Sequence, residues 1–167
     1  MKKIMVIGCP GSGKSTFSRA LHQITGIPLF HLDMMYWNSD RTTVEKAVFL
    51  KRLSDAIQQN AWIIDGNHGS TIELRLQACD TVIFLDYPLE ICLDGIRKRR
   101  GKARSDMPWI ENEDEEDAEF IEFIKSYNTQ SRPQIMDLLN LYSDKNVFIF
   151  INRTEADEFL SNLYGIF

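Results

Sequence analysis

Residues 4–15 read IMVIGCPGSGKS, a short apolar run that leads directly into a glycine-rich loop. The run 4–7 predicts a buried strand, and the apolar periodicity that follows predicts a helix beginning at Lys14. The loop matches the pattern G-x-x-x-x-G-K-[ST], in which glycines let backbone N–H groups point inward and the start of the helix faces the same centre. This arrangement is typical of loops that hold the phosphates of a nucleoside triphosphate, which we interpret as ATP.

The loop and the start of its helix supply the predicted nucleotide-binding residues. They are Gly8, Pro10, Gly11, Ser12, Gly13, Lys14, Ser15 and Thr16. Lys14 is also predicted to be catalytic, because its ammonium group would meet the β- and γ-phosphates, and the Ser15 hydroxyl is predicted to ligate Mg²⁺. The alternative is a chance glycine-rich turn, but strand, loop, lysine and helix all occur in the required order.

Short apolar runs alternate with helical patterns along the 167 residues, which indicates βαβ units and a parallel sheet. The predicted strands are 4–7, 28–32, 62–64, 81–85 and 147–151. The first and the last two are continuously apolar, so we expect helices to cover both of their faces. The sequence therefore predicts a single three-layer α/β domain over residues 1–167, with a five-stranded parallel sheet and the P-loop NTPase fold.

Local signals place the helix boundaries. Thr42 and Glu45 form a capping-box pattern at the start of a helix, and Pro88 suits the first turn of another. Pro133 should interrupt or restart the long helical segment that precedes the last strand. Thr154 is predicted to cap a short final helix.

The composition is that of an ordinary globular domain, with 44% hydrophobic residues and a net charge of −5. A broadly acidic chain is a poor general nucleic-acid binder, because phosphate contacts need clustered cations. Three widely spaced cysteines without a CxxC pair favour reduced thiols. No stretch approaches the roughly 18 apolar residues that span a bilayer, so we expect a cytoplasmic protein without a membrane partner.

Three aspartates directly follow predicted strands, where ligands of an open parallel sheet bind. Asp65 is predicted to hold Mg²⁺ together with Ser15, the alternative being a turn-forming Asp-Gly pair. Asp33 is predicted to bind a phosphate acceptor and to act as its general base, the alternative being a helix or turn cap. Asp86 is interpreted as a helix N-cap.

The residues near these aspartates leave several readings open. The run 34–37, which includes Trp37, forms an apolar wall that either packs under the second helix or lines an acceptor pocket. His31 is interpreted as a packing or surface residue. His68 could contact an acceptor.

Four arginines are candidates for stabilising a transferring phosphoryl group, whose negative charge needs cations. They are Arg75, Arg99, Arg104 and Arg132. Six cations fall within residues 97–104, ahead of an acidic run at 111–119, and we interpret residues 100–112 as a short lid that faces the phosphates. The alternatives are a solvated helix face and a local nucleic-acid patch. The acidic run could begin a helix and also pair with the basic cluster when no nucleotide is bound.

The phosphate loop, the segment 31–37 and the segment 62–67 with Arg75 resemble small P-loop proteins related to adenylate kinase. The best resemblance is to the group known as (DNA) topology modulation proteins, and residues 127–142 are similar to the post-lid helix of adenylate kinases. The resemblance implies a five-stranded parallel sheet, an acceptor-binding region at about 34–60, a lid near 100–112 and nucleotide-kinase-like chemistry. The acceptor-binding residues predicted on this basis are Asp33, Trp37, Asn67, Arg75 and Arg132.

The chain departs from that pattern in two places. Residues 66–68 are Gly-Asn-His, whereas adenylate kinases have Gly-Phe-Pro-Arg, so the arginine that holds AMP is missing and Arg75 could replace it. Gly95 stands where a helical arginine is expected, four residues before Arg99. The resemblance therefore leaves the acceptor open.

Together these residues predict a kinase that uses Mg²⁺ to transfer the γ-phosphate of ATP to a small acceptor, such as a nucleoside, a nucleotide or a similar metabolite. The predicted catalytic residues are Lys14, Asp33, Arg99 and Arg104. The alternatives are a slow regulatory ATPase and a nucleic-acid-associated protein that uses the basic cluster.

Overall fold

The computed structural model describes residues 1–112 and 117–166 and contains a five-stranded, fully parallel sheet. Its strands are β1 (Lys3–Gly8), β2 (Leu29–His31), β3 (Trp62–Asp65), β4 (Thr81–Leu85) and β5 (Asn146–Phe150). Their order is β2-β3-β1-β4-β5, so the strand that leads into the glycine-rich loop is central. The predicted fold class is confirmed.

Eight α-helices flank the sheet in the described residues. They are α1 (Lys14–Thr25), α2 (Leu32–Tyr36), α3 (Lys46–Ile57), α4 (Ile72–Ala78), α5 (Leu89–Arg99), α6 (Ala118–Ser126), α7 (Ser131–Leu141) and α8 (Arg153–Leu163). A single 3₁₀ turn, Gly69–Thr71, precedes α4. The break between α6 and α7 confirms the interruption predicted near Pro133. No described helix is both long and apolar enough to cross a membrane.

The core lies on both faces of the three central strands. Strands β3 and β4 are buried along their whole length, and β1 is buried after its first residue. Strand β5 differs, since Phe148 and Ile149 are 36% and 39% exposed. The prediction that β5 is covered on both faces is wrong, because this strand forms an edge of the sheet.

Two predicted helix caps are also wrong. Helix α3 begins only at Lys46 and has no side-chain cap bond, because the Thr42 side chain is bonded to Asp40 instead. At the start of α8, the Asn152 side chain accepts a hydrogen bond from the Glu155 N–H, so Thr154 is not the cap. Both differences come from local hydrogen bonds that compete with the predicted ones.

Helix α5 packs against the phosphate loop through two glycines. A β-carbon built on Gly95 would lie 2.0 Å from the Gly11 carbonyl oxygen, and one built on Gly11 would lie 2.0 Å from the Cys92 carbonyl oxygen. Gly11 also has a φ of +84°, which favours glycine. Gly95, which looked like a lost arginine in the sequence, is therefore needed for a close approach of two backbones.

We expect Gly95→Ala to destabilise the fold by about 1–3 kcal/mol, as other overpacked sites do, because backbone must move to admit the methyl group. The distortion falls on the phosphate loop, so nucleotide affinity should fall as well. Urea unfolding and calorimetric titration with ATP measure the two effects. Gly69→Ala is the control for stability, since its added β-carbon would have no neighbour within 4 Å. Wild-type values in both assays for Gly95→Ala would contradict this account.

Candidate functional site

A cleft of about 1230 Å³ opens at the carboxyl ends of the strands. Its walls come from the phosphate loop, from Asp33 and Trp37, from the segment 66–69 and from the lid segment, residues 100–112. Helices α5, α6 and α7 contribute further parts of the wall. The volume exceeds the roughly 300–1,000 Å³ typical of a single small-ligand site.

The phosphate loop is built to receive an anion. Gly13 forms the N-terminal boundary of α1 and has no capping side chain, so the first N–H groups of the helix keep no side-chain partner there. The Ser12 hydroxyl is buried with no hydrogen-bond partner among the described residues. Unpartnered donors at a helix start are what a phosphate group satisfies.

Lys14 adds a positive charge to this loop. Its Nζ donates to the carbonyl oxygens of Gly8 and Cys9, at 2.9 and 3.2 Å. These bonds use two of the three donors of an ammonium group. Removal from water lowers the pKa of Lys14, and the nearby carboxylates of Asp65 and Asp33 oppose that shift. An anion bound in the loop would supply the counter-charge directly.

Asp33 lies at the start of α2, lines the cleft and accepts a hydrogen bond from His68. The His68 Nε2 to Asp33 Oδ1 distance is 3.1 Å. Burial by itself would raise the pKa of Asp33, but the hydrogen bond and charge of His68, with Lys14 and Arg104, outweigh it and lower that pKa. The carboxylate is therefore held in its ionised form, which can accept a proton.

His68 is fixed from several directions. Its ring packs edge-on against Tyr36, with centroids 4.7 Å apart, and lies 5.2 Å from the ring of Phe49. Its backbone has a φ of +35°, which is uncommon for a residue with a side chain and is often found at functional sites. The histidine is thus positioned to orient the Asp33 carboxylate.

Asp65, a predicted metal ligand, is paired with His31. Both of its oxygens lie 2.9 Å from His31 Nδ1, and the side chain is almost fully buried. The cause is strand register, because His31 and Asp65 are direct partners across the β2–β3 pair. The described lining of the cleft includes Asp33 and Asp106 but not Asp65. His31, interpreted from the sequence as a packing or surface residue, also makes a hydrogen bond to Asp65.

Ser15, the other predicted metal ligand, contacts the lid segment. Its hydroxyl donates a 2.9 Å hydrogen bond to Asp106 Oδ2. Asp106 is buried although it lies in a segment without helix or strand. The sequence analysis did not single out Asp106. The feature that could have pointed to it is its position just after the basic cluster 97–104, which was interpreted as facing the phosphates.

The two predicted lid arginines both line the cleft and share one carboxylate. Arg99 Nη2 lies 2.8 Å from Glu111 Oε1, and Arg104 Nη2 lies 3.2 Å from the same oxygen. The expected pairing of the basic cluster with the acidic run is thus present at Glu111. Asp117 caps α6 by accepting from the Phe120 N–H, and residues 113–116 of the run lie outside the described residues.

Arg75 is a structural clamp. It is fully buried and donates to three backbone carbonyls of the segment after β3, those of Gly66, Asn67 and Thr71. The predicted contact with an acceptor does not fit this placement, because the guanidinium is used up in holding the loop and does not line the described cleft.

We expect Arg75→Met to destabilise the fold by about 2–3 kcal/mol, because buried carbonyl oxygens lose their charged donor. Arg52→Met is a matched control, since Arg52 also donates to a backbone carbonyl, that of Met35, but from an exposed position. Its effect should stay within about 0.5 kcal/mol. Urea unfolding of both variants gives the comparison. Equal stabilities of the two variants would contradict the clamp.

Arg132 and Asp86 form an ion pair outside the cleft. Arg132 Nε lies 2.8 Å from Asp86 Oδ1, and Nη2 lies 2.7 Å from Oδ2. Arg132 is therefore not placed to bind an acceptor in the cleft. The prediction that Asp86 caps α5 is also wrong, because Pro88 occupies the cap position and the carboxylate is held by the arginine.

Trp37 and Asn67 both line the cleft. The Trp37 ring lies edge-to-face with Trp109 of the lid segment, with centroids 5.0 Å apart. The Asn67 side-chain oxygen accepts a 3.3 Å hydrogen bond from the Gly8 N–H. The run 34–37 was interpreted either as packing or as lining a pocket, and it does both. Trp37 lines the cleft, while Tyr36 packs on Phe49 of α3.

Sequence reasoning also missed cleft residues outside the motifs. Arg19, Trp109 and Arg153 line the cleft. Arg153 lies near the phosphate loop, because its Nη1 would be 3.4 Å from a β-carbon built on Gly13. Arg153 could have been found from the sequence, because it follows strand β5. Ligands of an open parallel sheet bind beyond the carboxyl ends of the strands, which is the argument that pointed to the aspartates.

Comparisons with known proteins agree with this architecture. A family model, AAA_18, described as an AAA domain, matches residues 4–119. No curated protein sequence gives a significant match. Two structures of shikimate kinase have a similar fold. The enzyme from Bacteroides thetaiotaomicron is 16% identical with a TM-score of 0.63, over 98% of this chain and 96% of that one. The enzyme from Acinetobacter baumannii, solved with shikimate, is 15% identical with a TM-score of 0.64, over 99% and 92%.

A third similar structure, the shikimate kinase from Aquifex aeolicus, is 17% identical with a TM-score of 0.53, over 96% of this chain and 92% of that one. Identities this low show a shared fold and not a shared substrate. The specific resemblance to topology modulation proteins stays a prediction. The fold is that of a small kinase-like P-loop NTPase, and the chain belongs to the AAA domain family whose model covers residues 4–119.

Proposed function

We propose that this protein is a kinase that transfers the γ-phosphate of ATP to a hydroxyl group of a small acceptor. The observation that carries the proposal is the composition of one cleft. The phosphate loop with Lys14, the Asp33–His68 pair and the lid arginines all line it. A phosphate donor, a proton acceptor and charge-stabilising cations are the parts that phosphoryl transfer requires.

The nucleotide would bind with its phosphates in the loop that begins at Gly8. The N–H groups at the start of α1 and the Lys14 ammonium group would hold the β- and γ-phosphates. Arg153 lies beside the loop and over the ring of Tyr87, 5.9 Å from its centroid, where it adds positive charge to the same end of the cleft.

The residues near Ser15 fit Mg²⁺. The Ser15 hydroxyl lies 2.9 Å from the Asp106 carboxylate. Mg²⁺ binds oxygen donors of this kind together with substrate phosphates. When bound, the ion would neutralise charge on the phosphate oxygens. Asp65 is not carried into this proposal, because both of its oxygens face His31.

Asp33 is the proposed general base. It would accept the proton of the acceptor hydroxyl as the acceptor oxygen bonds to the γ-phosphorus and the bond to ADP breaks. His68 would hold the carboxylate in place through the bond that it already makes. Arg99 and Arg104 would exchange their contacts with Glu111 for the transferring phosphoryl group.

The acceptor subsite is proposed between Asp33 and the two tryptophans. Trp37 and Trp109 form an apolar wall there, and Asn67 supplies an amide. A ring-bearing, hydroxylated molecule fits such a surface, because its ring contacts the wall while a hydroxyl reaches the carboxylate. A nucleoside, a nucleotide or a similar metabolite has this chemistry.

An acceptor screen tests the function. ADP release from ATP with Mg²⁺ is measured with nucleosides, nucleoside monophosphates and hydroxylated metabolites, shikimate included because structurally similar kinases are named for it. We expect one class of acceptor to raise ADP release above the blank. The amount of phosphorylated acceptor formed should equal the amount of ADP released. ATP turnover that no acceptor changes would favour a regulatory ATPase. Salt-dependent nucleic-acid binding that is lost when residues 97–104 are neutralised would favour the other alternative.

A further inference from the structure

The lid segment places a carboxylate directly on the start of α1. Asp106 is 6% exposed, and its Oδ2 accepts the hydrogen bond from the Ser15 hydroxyl at 2.9 Å. The two residues are 91 positions apart in the chain, so the contact joins the lid segment to the phosphate loop. Ser15 is the loop residue whose hydroxyl is expected to meet the metal ion that accompanies the nucleotide.

Two arginines hold the Asp106 carboxylate in this position. Arg104 Nη1 lies 3.7 Å from Oδ2, and Arg19 Nη1 lies 3.9 Å from Oδ1. Arg19 is itself bonded to Ser105 and to Thr16, at 3.1 and 3.2 Å. Both carboxylate distances exceed hydrogen-bond length, so the arginines offset the negative charge without taking up the oxygen lone pairs. The carboxylate therefore remains able to bind a further cation.

A negative side chain beside a triphosphate site needs an explanation. Asp106 and bound phosphates would repel each other at short range, and the low polarity of a cleft strengthens that repulsion. A divalent cation between them turns the repulsion into attraction. The described residues contain no group of three or more acidic, histidine or cysteine side chains that could bind a metal alone. Phosphate oxygens of a bound nucleotide, together with water, would complete a Mg²⁺ site here.

We propose that Asp106 is a metal-binding residue carried by the lid, which together with Ser15 binds Mg²⁺ once nucleotide is present. This inference rests on the proposed function, because the phosphates complete the site. It gives Asp106 the metal-binding role that the sequence suggested for Asp65. It also makes docking of the lid depend on the metal ion, since the same carboxylate belongs to the lid and to the metal site.

The test compares nucleotide affinity with and without metal. A non-hydrolysable ATP analogue is titrated calorimetrically in Mg²⁺ and in EDTA, and the ratio of the two dissociation constants is the metal dependence. We expect Asp106→Asn to reduce that ratio by about tenfold to a hundredfold, as for residues that support a bound metal. The loss should appear in the Mg²⁺ titration only, because removing the negative charge does not weaken metal-free binding.

Matched variants and a direct metal readout complete the experiment. Asp94→Asn makes the same chemical change at a partly exposed residue that pairs with Lys98, and it should keep the wild-type ratio. Asp106→Glu keeps a carboxylate and should retain more of the ratio than Asp106→Asn. The electron spin resonance signal of Mn²⁺ in the presence of ADP reports metal affinity without turnover. Asp106→Asn should bind Mn²⁺ more weakly than the wild type, and Asp94→Asn should not.

The outcomes separate this inference from the proposed function. A wild-type chain that binds nucleotide equally well with and without Mg²⁺ would overturn both. Wild-type metal dependence that persists in Asp106→Asn would overturn the role of Asp106 alone. If Asp106→Asn binds the nucleotide more tightly than the wild type by the same factor in Mg²⁺ and in EDTA, the metal-binding role of Asp106 is also overturned. That result would show that the carboxylate only obstructs the phosphate loop.

Discussion

Lys14→Ala is expected to lower the affinity for ATP with Mg²⁺ by roughly a hundredfold to a thousandfold, or about 2.7–4.1 kcal/mol. The ammonium group is bonded only to loop carbonyls among the described contacts, and its pKa is lowered by removal from water. Bound phosphates would give it a counter-charge, so its removal takes away a charge-assisted contact in a poorly solvated site. Calorimetric titration measures the loss.

Lys51→Ala is the control for this prediction. Lys51 pairs with Asp55 on the exposed face of α3, and its loss should leave nucleotide binding unchanged. Thermal unfolding gives a second readout, because nucleotide at a hundred times its dissociation constant stabilises the wild type by about 2.7 kcal/mol, or roughly 5–10 °C. Lys14→Ala should show almost no such shift. Wild-type affinity in Lys14→Ala would remove the basis of the proposed function.

Asp33→Asn is expected to reduce phosphoryl transfer by about 10²–10⁴-fold, the usual contribution of a general base. Binding of ATP should stay near the wild-type value, because the residue lies in the proposed acceptor subsite and is bonded to His68. Asparagine keeps the shape of the side chain but cannot accept the proton. The transfer rate is measured with the acceptor found in the screen, and nucleotide binding is measured by calorimetry.

Asp55→Asn is the matched control for Asp33→Asn, since Asp55 lies on an exposed helix face and pairs only with Lys51 in the described contacts. It should transfer phosphate at the wild-type rate. A different result for Asp33→Asn, in which affinity for ATP with Mg²⁺ falls and acceptor dependence is kept, would place this carboxylate with the metal ion instead.

Features carried by adjacent residues could be predicted from the sequence. The strand 81–85 was located at its true bounds, because a continuous apolar run ends there at an aspartate. The phosphate loop and the start of α1 followed from spacing alone. The break between α6 and α7 followed from the fixed backbone of Pro133. In each case the local chain contains all the information that the prediction used.

Features that depend on which elements become neighbours could not be predicted in the same way. Asp65 turns to His31 only because β2 lies beside β3, and the sheet order is set by distant contacts. Strand β5 is as apolar as β4, yet it is exposed because it is at the edge. Arg75 lies on the same face of α4 as the buried Ile72 and Leu76, but the carbonyl groups that it holds belong to a loop whose path depends on the whole fold.

The close contact between Gly11 and Gly95 ties helix α5, which carries Arg99, to the phosphate loop. Arg99 lies four residues after Gly95 on the same helix, about 6 Å along its axis, so it is anchored to the loop that would receive the phosphates. Arg104 lies beyond the end of that helix, in a segment without regular structure. Arg99 is therefore held by a helix that packs on this loop, whereas the position of Arg104 depends on the lid segment that carries it.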